Sequence, residues 1–437
     1  MIKKYFLSTG ANFKKFLFSD YGINIMHVFT GTAIAQLLPI LSSPILSRIY
    51  SPQDFAYLGI LMSVSNILTV PSTGRYEYAI ILPEDDQDSL TLVVLSSLMS
   101  ISAFFVIVAG LFVSKSLLLN FLEIGDYTTW IFFIASYTLF VSSYQILNFW
   151  YIKKNLYKSL SFNRVIRSIF TTVLCISFGF VDSFDHGLIW GTILGQFFST
   201  AIMLKNIYGF EKKNLKNISV KKIIAIAIRY KDFPRFSVPS SFLNITTQQM
   251  PIFVMMMFLN KFIIGQYTMA QRMLAAPIST IATAIGDVFQ QTAREEYINN
   301  GNCKKIWLST FNQLAMISIP IFATILMYGP EIFGFIFGAE WVQAGEIAQI
   351  LAPFACFQFI FSTLSRTIII TEHQKFDFIW QVSLFILITA ALFIGGYNRD
   401  AFQMLFVYSI LYFMMYIING WYSYKYAKNT NQPNIVK

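Results

Sequence analysis

Charge is scarce in this sequence: Asp, Glu, Lys and Arg make up 12% of its 437 residues. A soluble chain carries roughly 25% charged residues to cover its surface, so half that share excludes a surface that mostly faces water. Cysteine is nearly absent. Cys175, Cys303 and Cys356 follow no pairing pattern, which excludes a disulfide framework or a thiolate metal cluster. His27, His186 and His373 lie far apart and form no ligand motif. No metal and no cofactor are therefore expected. The Gly-rich loop ending in Gly-Lys-Ser/Thr that cradles phosphates is missing, so the chain does not itself hydrolyse ATP. A zinc-protease signature and a nucleophile elbow are missing too. So are external loops long enough to carry the catalytic groups of a polymerase or glycosyltransferase. The chain reads as a non-enzyme.

What is present is apolar. Hydrophobic residues make up 55% of the chain, and the mean hydropathy is +0.57. Runs long enough to cross a bilayer, about 20 residues each, fall at 23–47, 54–73, 90–113, 128–150, 160–181, 187–206, 237–258, 262–288, 307–328, 346–369, 377–396 and 402–423. The expected class is an all-α polytopic membrane protein with about 12 transmembrane helices. Counted from a cytoplasmic N-terminus, with basic residues at the inner ends of spans (Arg164, Arg167 and Arg366 among them) assigned inside, the inside segments hold 27 of the 32 Lys and Arg. The outside loops hold only Arg48, Lys115, Lys261 and Arg399, and Arg272 lies within a span. That bias predicts cytoplasmic N- and C-termini. It also explains the net charge of +10 as topology, without nucleic acid as a partner. The seven Trp residues all fall near predicted span ends, where interfacial belts sit.

The longest hydrophilic stretch, 207–236, divides the chain into an N-terminal lobe (1–206) and a C-terminal lobe (237–424), with a tail over 425–437. This linker is basic, and its IIAIAI core is too short to span, so it reads as a cytoplasmic linker with an interfacial helix. Pro44, Phe55 and Pro71 in the first half are matched at similar spacing by Pro251, Phe262 and Pro277 in the second. Prolines at matching places suggest a duplicated unit with interrupted helices near a binding region.

Charged residues inside apolar segments are expensive, so they turn toward a cavity or a partner. Arg272 is the clearest, with Ser279, Thr283, Gly286 and Gln290 following at helical spacing and Asp287 at the edge. A packing stripe with a structurally paired arginine is the other reading. Arg164 and Arg167 open the fifth span, where they either line a cavity or snorkel to the interface. Arg48 ends the first span, which also carries Gln36, and the seventh contributes Asn244 and Gln248. Arg75 and Glu77 flank Tyr76 as a cavity-mouth pair or an ordinary surface pair, followed by Glu84, Asp85, Asp86 and Asp88 as a solvated acidic run. Arginine matches phosphate geometry, so such a lining suits an anionic, hydroxyl-rich cargo better than an organic cation.

The segments AQLLPILSSPILSRIYSPQDFAYLGIL (35–61), GRYEYAIILP (74–83) and FGAEWVQAGEIAQILAPF (337–354) resemble those of the oligosaccharide-lipid flippases of bacterial polysaccharide synthesis. Those flippases share a superfamily with the multidrug and toxin extrusion antiporters. The first and last segments are similar to those of the O-antigen and capsule flippases. Ala56 departs from the Gly common among relatives. The resemblance implies two six-helix lobes around a central cavity in the bacterial inner membrane. Its implied cargo is an oligosaccharide repeat unit on undecaprenyl pyrophosphate, held chiefly by Arg272 and then by Arg48, Arg164 and Arg167; Arg75 joins them as the cavity-mouth candidate read from its own segment. Membrane lipids and the polymerase and other polysaccharide assembly proteins are the implied partners. Coupling to H+ or Na+ would fall to Glu77 or Asp287. The alternative on the same fold is an ion-coupled multidrug antiporter, which would need a buried acidic residue in the N-terminal half.

Overall fold

The computed structural model describes residues 20–113, 127–181, 185–215, 218–371 and 373–428. They are helical, in the order α1 (Asp20–Ile49), α2 (Pro52–Ser72), α3 (Asp86–Val113), α4 (Tyr127–Lys153), α5 (Tyr157–Gly179), α6 (Gly187–Leu215), α7 (Val220–Arg229), α8 (Val238–Phe258), α9 (Lys261–Pro277), α10 (Thr283–Asn300), α11 (Lys304–Phe337), α12 (Val342–Leu364), α13 (Arg366–Ile370), α14 (Gln374–Tyr397) and α15 (Ala401–Lys428). A 3₁₀ turn, Tyr76–Ile81, joins α2 to α3, and π-helical turns precede α8 and α10.

Among the described residues nine helices are long and apolar enough to cross a membrane. The three further expected spans are helical as well, as α5, α8 and α9–α10. Arg164 and Arg167 in α5 and the polar run Asn244–Gln249 in α8 lower their apolarity, and several side chains over 277–287 of α9–α10 lie outside the described residues. The most polar helices of the bundle are thus the ones bearing the candidate site residues.

Proline shapes two helices and leaves carbonyls for others to satisfy. A proline removes the hydrogen bond to the carbonyl four residues earlier, and in lipid that group needs a new partner. Pro39 frees the Ala35 carbonyl, and the Ser168 hydroxyl of α5 donates to it at 2.7 Å. Pro330 frees the Leu326 carbonyl in α11, and Gln349 Nε2 of α12 donates to it at 3.0 Å. The start of α2 is closed by Ser51 and Asp54, whose side chains and backbone bond reciprocally around Pro52.

The described chain forms two compact units. Among the described residues the first takes those within 20–42, 68–113 and 127–239; its core runs through Tyr76, Ile80, Leu92, Tyr144, Trp150, Met203 and Ile226. The second takes the described residues within 43–67 and 240–428. There α12 is buried along much of its length, and a tyrosine ladder on α15, Tyr408–Tyr412–Tyr416, packs against Phe354. The C-terminal end of α1 belongs to this second unit: Trp341 Nε1 donates to the Ser47 carbonyl at 3.0 Å, and Ser47 Oγ to the Phe337 carbonyl at 2.9 Å.

The tryptophans depart from the belt expectation. Trp130, Trp150, Trp307 and Trp341 are buried in the protein, because their indoles fill large core volumes and several N–H groups find partners inside, as Trp307 does on Ser423 Oγ at 2.9 Å. Trp421 is 57% exposed and carries Lys425 over its ring.

Candidate functional site

Residue types on α1, α4 and α5 converge in the first unit. Gly31 lets α1 approach α5 closely, since a methyl group there would overlap the Ser161 side chain. One turn on, Arg164 Nη1 donates to Thr32 Oγ1 at 2.5 Å. Its Nη2 donates to Asn148 Oδ1 of α4 at 3.4 Å. Arg167 follows on the same face with its guanidinium 4.6 Å from the centroid of the Tyr144 ring. Ser168 then bonds the Ala35 carbonyl, one residue before Gln36, which is half-buried and engaged.

Both arginines are half-buried, and among the described residues neither has a carboxylate within ion-pair reach. Two like charges one turn apart oppose each other, and burial adds a desolvation cost. Neutral partners (a hydroxyl, an amide oxygen and a phenol ring) orient the guanidiniums without cancelling their charge. Such an arrangement holds positive charge ready for an anion.

Arg75 and Glu77 form a different structure. Arg75 adopts a left-handed backbone, φ 60°, at the start of the 3₁₀ turn. Its Nη1 lies 3.3 Å from Glu77 Oε1 and 3.2 Å from Tyr78 Oη. Both side chains are buried, with 7% and 1% exposure, so the surface-pair reading does not hold. Burial pushes the Glu77 carboxyl above its ordinary range, against the lowering effects of the Thr73 hydroxyl and of Arg75. Arg75 Nε and Glu77 Oε2 have no hydrogen-bond partner among the described residues.

Glu84, Asp85 and Asp86 are exposed, as the solvated reading expects, and Asp85, Asp86 and Asp88 are also paired. Lys154 Nζ lies 2.7 Å from Asp86 and 3.3 Å from Glu211. Burial pulls the Lys154 ammonium down, but these two carboxylates outweigh it and hold it above its usual range. From α7, Lys222 reaches Asp88 at 2.9 Å and Arg229 reaches it at 3.4 Å. The Tyr76 hydroxyl donates to the Ala227 carbonyl near the end of α7 at 3.0 Å. Linker helix and acidic loop are one construction.

In the second unit the expected residues are more dispersed. Arg48 is exposed in the last turn of α1, and Arg272 is half-buried and engaged within α9. Gln248 Nε2 donates to Asn244 Oδ1 at 2.8 Å on the exposed face of α8. The π turn Ile278–Ala282 adds a residue to the helical register after Arg272, so the seam from Arg272 to Gln290 is not one continuous α-helical face. The side chains of Ser279, Thr283 and Asp287 lie outside the described residues. Sequence reasoning missed Arg366: its guanidinium lies flat over Gly286, where a Cβ would meet Cζ at 2.9 Å, and Nη1 donates to Gln290 at 3.3 Å. It also missed Thr32, Tyr144 and Asn148. An amide and small residues at helical spacing in apolar spans were the available signals.

Comparison with known proteins adds a family and a fold. A family described as "Polysaccharide biosynthesis protein" matches residues 45–346. No curated protein matches the chain in sequence. Among solved structures, a "Lipid II flippase MurJ, inward closed conformation" is 14% identical, with a TM-score of 0.69 over 92% of this chain and 87% of its own. An inward-facing multidrug resistance MATE family transporter of the MOP superfamily is also 14% identical, with a TM-score of 0.68 over 91% of this chain and 96% of its own. A MOP superfamily transporter from Pyrococcus furiosus, described by the reverse polarity of its binding pocket, is 15% identical at a TM-score of 0.62, over 93% and 96%. The fold they share is a polytopic helical membrane fold.

Proposed function

The chain belongs to the polysaccharide biosynthesis protein family, and from that premise we propose that it is a flippase for undecaprenyl-pyrophosphate-linked oligosaccharide repeat units. It moves them from the cytoplasmic to the periplasmic leaflet of the bacterial inner membrane, by alternating access between two six-span lobes, for O-antigen or another surface polysaccharide. Both termini are then cytoplasmic, in keeping with the Lys and Arg bias. The observation that carries this reading is the Arg164–Arg167 pair, half-buried, oriented by neutral partners and free of carboxylates among the described residues. A diphosphate supplies the missing negative charge, and guanidinium forks match its oxygens. An organic cation, the cargo class of a multidrug antiporter, would meet repulsion there, and the buried acids of this half among the described residues, Glu77 and Glu211, are already paired with Arg75 and Lys154. The MurJ structure, described as a lipid II flippase, gives a precedent for lipid-linked cargo on this fold.

In this reading Gln36 adds to the polar lining of the first unit, and Arg272, Arg48, Asn244, Gln248, Ser279 and Thr283 are the second unit's own candidates for cargo contact. An inside-negative potential favours outward movement of an anion by about 2.3 kcal/mol per charge per 100 mV. H+ or Na+ coupling falls to Glu77 or Asp287, and polymerase and other assembly proteins receive the product. The test is to delete the gene and ask which leaflet holds the lipid-linked repeat unit. Accumulation in the cytoplasmic leaflet is expected, rescued by the wild-type chain and not by Arg164→Gln/Arg167→Gln. Normal export in the deletion strain would overturn the assignment.

A further inference from the structure

The linker helix α7 carries more apolar surface than the protein covers. Its Ile223, Ile226 and Ala227 pack on the core of the first unit. Val220, Ile224 and Ile228, four residues apart and so on one stripe, are 71%, 55% and 62% exposed. Ten residues give a helix of about 15 Å, half of what a bilayer crossing needs. An exposed isoleucine stripe on a helix this short is not a lipid-facing span side.

Charge on α7 is also divided. Lys222 and Arg229 are consumed internally by Asp85 and Asp88. Lys221, Lys231 and Arg235 are exposed and have no carboxylate within ion-pair reach among the described residues. Asp232 is the single acidic residue over 219–236. Phe236, 60% exposed, lies beneath the Arg235 guanidinium. The chain arrives from the candidate span Gly187–Gly209 and enters α8 at Val238, so both ends of the segment are tied close to a bilayer surface.

We propose that α7 lies in the headgroup layer of an anionic phospholipid leaflet, with Val220, Ile224, Ile228 and Phe236 inserted and Lys221, Lys231 and Arg235 on lipid phosphates. The internal pairs to Asp85 and Asp88 fix which side of the helix faces the lipid. Apolar insertion and basic contacts together supply the two signals that stable surface attachment requires, and each near-surface basic residue strengthens attachment to an anionic leaflet. The inference does not depend on what the chain transports.

The test uses the full chain in nanodiscs, open to solvent on both faces, of phosphatidylcholine with or without phosphatidylglycerol. A spin label on Ile224→Cys reports depth through its collisions with oxygen and with a water-soluble nickel chelate. In discs with phosphatidylglycerol the label is expected to favour oxygen, and to shift toward the chelate in phosphatidylcholine alone. Lys221→Gln/Lys231→Gln/Arg235→Gln should give that shift with phosphatidylglycerol present, while its size-exclusion elution stays unchanged because these side chains are exposed. Full chelate access with phosphatidylglycerol present, or one depth in both lipids and both proteins, would overturn the proposal.

Discussion

Ser168 donates its hydroxyl to the Ala35 carbonyl at 2.7 Å, the same carbonyl that Pro39 leaves without an intrahelical donor. The contact ties α5 to α1 between Arg164 and Gln36, so it holds the geometry of the candidate anion site as well as closing a gap in a helix.

Replacing Ser168 by Ala should lower stability by about 1–2 kcal/mol, the scale of interhelical hydrogen bonds in membranes. Pro39→Ala in the same chain restores the intrahelical donor and should recover most of the loss. Thermal unfolding of the two single variants and the double variant checks this, and additive losses would contradict the pairing.

Thr32→Val and Asn148→Leu each remove a partner of Arg164 without touching its charge. Cargo binding should weaken by about tenfold for the pair of changes, near the lower bound for a single charged hydrogen bond, because neither residue bonds the cargo itself. Arg164→Lys should not restore it, because an ammonium lacks the fork. Titration of an undecaprenyl diphosphate analogue against purified chain is the measurement; undiminished binding would assign these residues to packing.

Glu77 should titrate above the ordinary glutamate range, since burial disfavours its charged form. A carboxyl with a raised folded pKa contributes stability that is full below its unfolded value, about 4.3, and is lost as pH rises through the folded value. Wild-type stability attributable to this group should therefore fall upward from about pH 4, by at most about 1.4 kcal/mol per pH unit. Glu77→Gln should flatten that stretch of the profile. Melting curves across the acid range, with a slope unchanged by the substitution, would refute it.

The native thiols should resist alkylation. All three cysteines are buried, and burial, reinforced by nearby Glu296, pushes the Cys303 thiol up to about 12. Its thiolate fraction at neutral pH is then roughly one in 100,000. Maleimide should label the folded chain slowly and the denatured chain fully; rapid labelling of folded protein would show an open path to a thiol.

Much of the bundle was legible in the sequence because span length and Lys/Arg bias are local signals. Arg164 and Arg167 were legible for the same reason: a charge in an apolar segment stands out alone. Their partners did not stand out. Thr32 lies 132 residues from Arg164, and a threonine or asparagine in a span has many ordinary uses. The pairing of Asp88 with Arg229 crosses 141 residues, so an acidic run read by itself does not show its partners. Arg366 was hidden by counting: it fell among the inside-loop charges, and only the bare backbone of Gly286 reveals where it rests. Tryptophan placement misled because span ends are also where helices pack on one another.

The bond from Gln349 to the Leu326 carbonyl has a consequence for inheritance. A relative lacking the proline at 330 has an intact helix there and no use for an amide at 349; a relative keeping the proline cannot lose the amide without penalty. The two positions, nineteen apart and on different helices, should therefore change together across descendants of a common ancestor.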